Sequence, residues 1–204
     1  MFFAKGPNII QFLMPNYTWR VPTSEKKLFL TFDDGPIPEV TPWVLDMLEA
    51  YAAKATFFCV GDNARKNPLI FEAVLNKGHT IGNHTFNHLN GWKTGTSSYC
   101  QNVAKCNQFF NSSLFRPPYG RLTFSQKKVL AADFRIVLWD VLSGDFSKNI
   151  TPETCLRRVL DNARPGSIIV FHDSLKAERN LRYILPRILA HFSKLGYSFE
   201  AFDA

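Results

Sequence analysis

What most constrains this chain is an alternation of two patterns. Short apolar runs, each closed by a turn residue or a polar side chain, are separated by stretches with helical spacing. The runs beginning at Leu28, at Ala55 (to Val60), at Thr80 (to Ile81), at Leu114 (to Phe115), at Arg135 (to Asp140), at Ser167 (to Phe171) and at Tyr197 (to Phe202) read as seven strands. Ser167-Ile-Ile-Val-Phe171 is apolar on successive residues rather than alternate ones, as a strand buried on both faces must be. Between the runs, helices are expected over 38–54, 62–77, 97–110 and 123–132. Another opens at Thr151, an N-cap followed by Pro152. A last one covers 181–192, kinked at Pro186. Strands alternating with helices imply an α/β protein with a parallel sheet covered on both faces. No repeat or linker divides the 204 residues, so residues 28–204 are expected to form one domain, with 1–27 as an N-terminal arm and lead-in.

Charge and cysteine usage narrow the classes. The net charge of +7 comes from scattered Lys and Arg, paired only at places such as Lys26-Lys27 and Arg157-Arg158. Without a basic stripe and interleaved aromatics, nucleic acid is not an expected partner. Cys100 and Cys106 fall in one helix, where six residues rise about 9 Å, beyond the roughly 7 Å that a disulfide spans. Reduced thiols point to a cytoplasmic setting. Lys5, Pro7, Asn8 and Gln11 interrupt the apolar N-terminus, so neither a secretory core nor a transmembrane segment is expected; an arm covering one end of the domain is.

The polar residues sit at strand ends. Asp33-Asp34 follow the first strand, His84 and His88 the third, Arg116 and Tyr119 the fourth, Asp140 the fifth and His172 the sixth. In a parallel barrel those ends open on one face, where the chemistry of such enzymes lies. Adjacent carboxylates raise each other's proton affinity unless a cation intervenes. His84 and His88, four apart, suit one side of a helical turn and a shared metal, with a strand-end Asp as the anionic ligand. Arg116, stiffened by the prolines after it, is placed to pair with an Asp. A His172 acting as general acid wants a carboxylate to orient it, and Asp140 is the natural candidate. Asp173 reads as structural, because successive side chains on an extended backbone point oppositely.

In order, Thr31-Phe-Asp-Asp-Gly-Pro36, His84-Thr-Phe-Asn-His88, Arg116-Pro-Pro-Tyr119, Trp139-Asp-Val-Leu-Ser-Gly-Asp145-Phe146 and Ile168-Ile-Val-Phe-His172-Asp173 resemble the five motifs of the NodB-homology polysaccharide deacetylases, carbohydrate esterase family four. The resemblance covers about residues 28–173. It implies a distorted (β/α)7 barrel and metal-dependent removal of N- or O-acetyl groups from glycans such as chitin-like or peptidoglycan-derived N-acetylglucosamine. It assigns Asp34, His84 and His88 to a divalent metal, most often zinc, with cobalt, nickel or manganese as alternatives. Asp33 becomes the general base with Arg116 as its partner, the Tyr119 backbone N–H an oxyanion donor, and His172 the general acid steered by Asp140. Two positions depart from the pattern: Phe146 stands where Trp is usual, and Leu142 where an Asp is. A related amidohydrolase for small non-sugar amides, and a silent sugar-binding module, are the competing readings.

Overall fold

The computed structural model describes residues 16–203, so the arm expected over residues 1–14 lies outside them. At the centre runs β1 (Lys27–Asp33), buried from Leu28 onward. It pairs in parallel with β2 (Ala55–Cys59) on one side and β7 (Ile168–His172) on the other. Beyond β2 come β3 (Thr80–Asn83), β4 (Leu114–Phe115) and β5 (Arg135–Ile136); beyond β7 comes β6 (Val141–Leu142). The short β8 (Ser198–Phe199) pairs with the start of β1.

The order β5-β4-β3-β2-β1-β7-β6 puts two strands that are neighbours in sequence at opposite edges. Five Cα steps from Ile136 to Val141 span at most about 18 Å, whereas the edges of a flat seven-stranded sheet would stand about 29 Å apart. The sheet must therefore curl until its edges face each other, which is the distorted (β/α)7 barrel expected. Residues 16–26, part of the expected lead-in, help close it. Thr18 bridges Val137 beside β5, and Arg20 bridges Ser167 beside β7. Thr18 N–H donates to the Ile136 carbonyl at 2.8 Å, and Val21 N–H to that of Gly166 at 2.9 Å.

The helices are α1 (Thr41–Ala50), α2 (Gly61–Lys66), α3 (Pro68–Asn76), α4 (Thr96–Asn107), α5 (Phe124–Leu130), α6 (Pro152–Leu160) and α7 (Glu178–Lys194). The single helix expected over 62–77 is two, because Asn67 precedes a proline and takes φ −127°. Thr151 caps α6 by accepting from the Thr154 N–H, and α7 runs on through Pro186. Apolar faces of α1, α6 and α7 pack on the sheet, where Phe32 stacks between Phe57 and Phe171 at 5.0 and 5.5 Å. Among the described residues no helix is long and apolar enough to cross a membrane.

One strand is misjudged by the sequence. The run from Arg135 to Asp140 is strand only at its first two residues; the chain then crosses the seam, and Val141 starts a new strand against Ile169. Asp140 thus precedes β6 instead of ending β5, and this decides where its side chain lies.

Candidate active site

β1 delivers Asp33 to the C-terminal edge of the sheet, in register with His172 on β7. Asp34 then turns the chain with φ 85°. Gly35 is obligatory here, because a Cβ at that position would strike the Asp173 carboxylate. Asp173 buckles the turn: its Oδ1 accepts from the Gly35 N–H at 3.0 Å, and its Oδ2 accepts from the Thr41 hydroxyl at 2.6 Å. Burial pushes the Asp173 carboxyl up to about 8. Its role is structural, as its place in the sequence implied. Asn63 secures the same turn by donating to the Asp34 carbonyl at 2.7 Å.

Arg116, after β4, is fully buried beneath Asp33. Its Nη1 donates to Asp33 Oδ1 and to Thr31 Oγ1, both at 2.7 Å, while Nε and Nη2 donate to the carbonyls of Val137 and Leu138. The guanidinium lies 4.1 Å from the centre of the Phe58 ring. An ion pair this deep offsets its desolvation only with further hydrogen bonds, and here all three guanidinium nitrogens donate. The expected Arg116–Asp33 pairing is present.

His84 and His88 come together, though not on a helical turn. Residues 84–90 form a loop in which Thr85 and His88 adopt positive φ, 63° and 54°, and the two rings lie 5.1 Å apart. His84 Nδ1 contacts the Arg116 carbonyl at 2.7 Å, so that nitrogen carries the proton and Nε2 presents a lone pair. Burial pushes His84 down to about 4, against the pull of Asp33 and Asp34, so the ring is neutral near pH 7. For Asp34, burial alone would raise the carboxyl, but His88 beside it and the charges of His172 and His84 hold it well below its ordinary value.

These three residues fit a divalent cation. One ligand atom from each of Asp34, His84 and His88 lies within 4.8 Å of the others. Asp34 Oδ1 is buried without a hydrogen-bond partner, 3.1 Å from His88 Nε2 and 3.8 Å from His84 Nε2. Two imidazoles and one carboxylate are a donor set for zinc or a similar transition metal, with positions left for other ligands.

His172 stands across from this cluster, with its orienting carboxylate supplied by Asp145 rather than Asp140. Asp145 Oδ1 meets His172 Nδ1 at 2.8 Å, and Oδ2 accepts from the His172 N–H, also at 2.8 Å. Burial would strip the ring of its proton, but Asp145, helped by Asp34 and Asp33, raises it to about 9. Asp140 cannot take this role. It lies level with the start of β7, four residues and roughly 13 Å along the strand from His172, and its Oδ2 accepts from the Ser167 hydroxyl at 2.7 Å. Asp145 was inside a quoted motif but had no role from sequence; the Gly144 turn ahead of it, φ 80°, was the available signal. Asn180, which donates to the Asp145 carbonyl at 2.9 Å, carried none.

Tyr119 completes the rim. Its φ is 62°, its ring meets His88 edge-on at 4.8 Å, and the side chain is exposed. Among the described residues, four of the five non-glycine positions with positive φ surround this site: Asp34, Thr85, His88 and Tyr119. Such conformations cost about 1–3 kcal/mol each and persist where the surroundings enforce them. A cavity of about 670 Å³ joins Asp33, Asp34, both histidines and His172, with Leu142 and Phe146 on its apolar wall. Phe146 contacts the His172 ring edge-on at 4.9 Å.

Comparison with known proteins agrees with this geometry. The polysaccharide deacetylase family model matches residues 20–134. A peptidoglycan-N-acetylglucosamine deacetylase of Bacillus cereus is 37% identical over 190 residues, 89% of each chain. A chitooligosaccharide deacetylase of Azorhizobium caulinodans is 33% identical over 196 residues, 84% of this chain and 92% of the other. A crystal structure of a peptidoglycan N-acetylglucosamine deacetylase superposes with a TM-score of 0.87 at 33% identity, covering 94% of both chains.

Proposed function

Because this chain belongs to the polysaccharide deacetylase family, we propose that it hydrolyses the acetamide of N-acetylglucosamine units in a glycan, at the cavity between Asp33 and His172. The observation that carries this reading is the register pairing of Asp33 with His172 on adjacent strands, with Asp34, His84 and His88 lining the same cavity.

A divalent cation bound by Asp34, His84 and His88 supplies Lewis-acid activation of a water and of the acetyl carbonyl. Asp33, paired with Arg116 at 2.7 Å, accepts a proton from the attacking water as its oxygen bonds to the acetyl carbon. The Tyr119 backbone N–H donates to the oxygen that gains negative charge; losing one such donor costs about 10²–10³ in rate. His172 passes a proton to the sugar nitrogen as the C–N bond breaks, leaving a free amine and acetate. Leu142 and Phe146 give the acetyl methyl an apolar wall.

Acetate release from chitin oligomers and peptidoglycan fragments, with and without added zinc, tests the reaction. No acetate from any N-acetyl sugar with metal-loaded protein would overturn it. His84→Ala is expected to lose the metal, whereas Asp33→Asn keeps it and loses about 10²–10⁴ in turnover. Equal metal loss in both variants would refute the division of roles.

A further inference from the structure

Next to the cavity, between the lining residues Asn90 and Lys93, the chain carries a feature that acetyl transfer to water does not require. Trp92 is 65% exposed, yet it is pinned from several sides. Its backbone N–H donates to Asn90 Oδ1 at 3.0 Å, and its indole N–H reaches the Leu122 carbonyl at 3.4 Å. The Arg121 guanidinium covers the ring at 4.8 Å. Beneath it, the fully buried Gln126 donates to the carbonyls of Gly91 and Thr94, both at 2.9 Å, and so fixes the turn that presents the indole. Gly91 is needed for that closeness, since a Cβ there would collide with the Arg121 carbonyl. An indole held rigid in water adds little to the core, but it has already lost the freedom that binding would otherwise remove.

Charge on the cavity rim itself is one-sided. Lys93 and Arg121 line the cavity beside Trp92, and Lys176 lines it on the far wall, 5.6 Å from the centre of the Phe146 ring. None of the three forms an ion pair with a carboxylate among the described residues. The only acidic residues lining the cavity are Asp33 and Asp34, and both are already engaged.

We infer that Trp92, Arg121 and Lys93 form a glycan subsite beside the acetyl site, taking a sugar that carries a carboxylate. The indole stacks on the C–H face of the ring, and the two cations meet the acid group. The inference rests on the reading of the cavity as an N-acetyl-glycan site, and it narrows the substrate from neutral chitin-like chains to acidic ones.

The test uses peptide-free oligosaccharides that alternate N-acetylglucosamine with a lactyl-bearing N-acetylmuramic acid, with free carboxylates or with those carboxylates amidated. Binding is followed on the Trp92 indole N–H resonance, identified by its loss in Trp92→Phe, and acetate release is measured in parallel. At low ionic strength the acidic oligomers are expected to bind about tenfold tighter than the amidated ones, a gap that closes as salt is raised. Lys93→Ala/Arg121→Ala is expected to lower affinity for the acidic form to that for the amidated form. Equal affinity of the unsubstituted protein for both forms, or a preference surviving in the double variant, overturns the subsite. Carboxylate-dependent binding with no acetate from either form sinks the deacetylase reading and leaves the subsite standing. Acetate release from both forms with equal binding does the reverse.

Discussion

An imidazole buried at the end of a strand ordinarily sheds its proton below neutral pH, and His84 does so. His172, less deeply placed, behaves oppositely because Asp145 grips it at both the ring and the backbone N–H. The two histidines are thereby sorted near pH 7, His84 into the neutral form by burial and His172 into the protonated form by a carboxylate 27 residues away. A group raised to about 9 contributes stability that is full below its ordinary 6.5 and is lost as pH climbs through 9. Asp145→Asn should therefore cost more stability at pH 6 than at pH 10, measured by urea unfolding at each pH. It should also move the alkaline limb of the kcat/KM profile down by about 1–2 units. A limb that stays in place would separate Asp145 from proton delivery.

Among the elements, the seam between β5 and β6 explains why the sequence placed some residues well and others badly. Asp140 belongs to that seam: its carboxylate takes the Ser167 hydroxyl, with Arg164 at 3.7 Å, and so ties β6 to the start of β7. Asp140→Ala should lower stability by about 1–3 kcal/mol, while the pH profile of the rate keeps its shape; a shifted profile would return Asp140 to the active site. β1, β2 and β7 were legible because burial on both faces demands unbroken apolarity, and Asp33, Arg116 and His172 stand where those strands and β4 stop. The break at Val137 was not legible, since Val-Leu-Trp continues the apolar run and only pairing partners distinguish one strand from two. The loop over His84–His88 was hidden for a related reason. Four-residue spacing is shared by a helical turn and by a loop with two left-handed residues, and only the packing around Thr85 and His88 decides between them.

At the scale of the molecule, closure depends on a strap that is not strand. Tyr17 is buried, Thr18 exchanges backbone hydrogen bonds with Ile136 and Leu138, and the Arg20 guanidinium meets the Pro165 carbonyl. Removing residues 1–21 should cost about 3 kcal/mol or more, a fall in Tm of about 6–12 °C for a chain of this size. An unchanged melt would mean that the facing sheet edges hold without it. The central position of β1 has a further effect, on timing. The Thr31 hydroxyl and the Ile169 carbonyl it contacts are 138 residues apart. At ribosomal speeds of about 5–20 residues per second, β1 therefore waits roughly 7–30 s for the neighbour that completes it. By the later part of that interval the nascent chain holds Asp34, His84 and His88 but still lacks His172. The chain must spend that time with one flank of its central strand unpaired, when capture by a chaperone or by another nascent copy competes with folding.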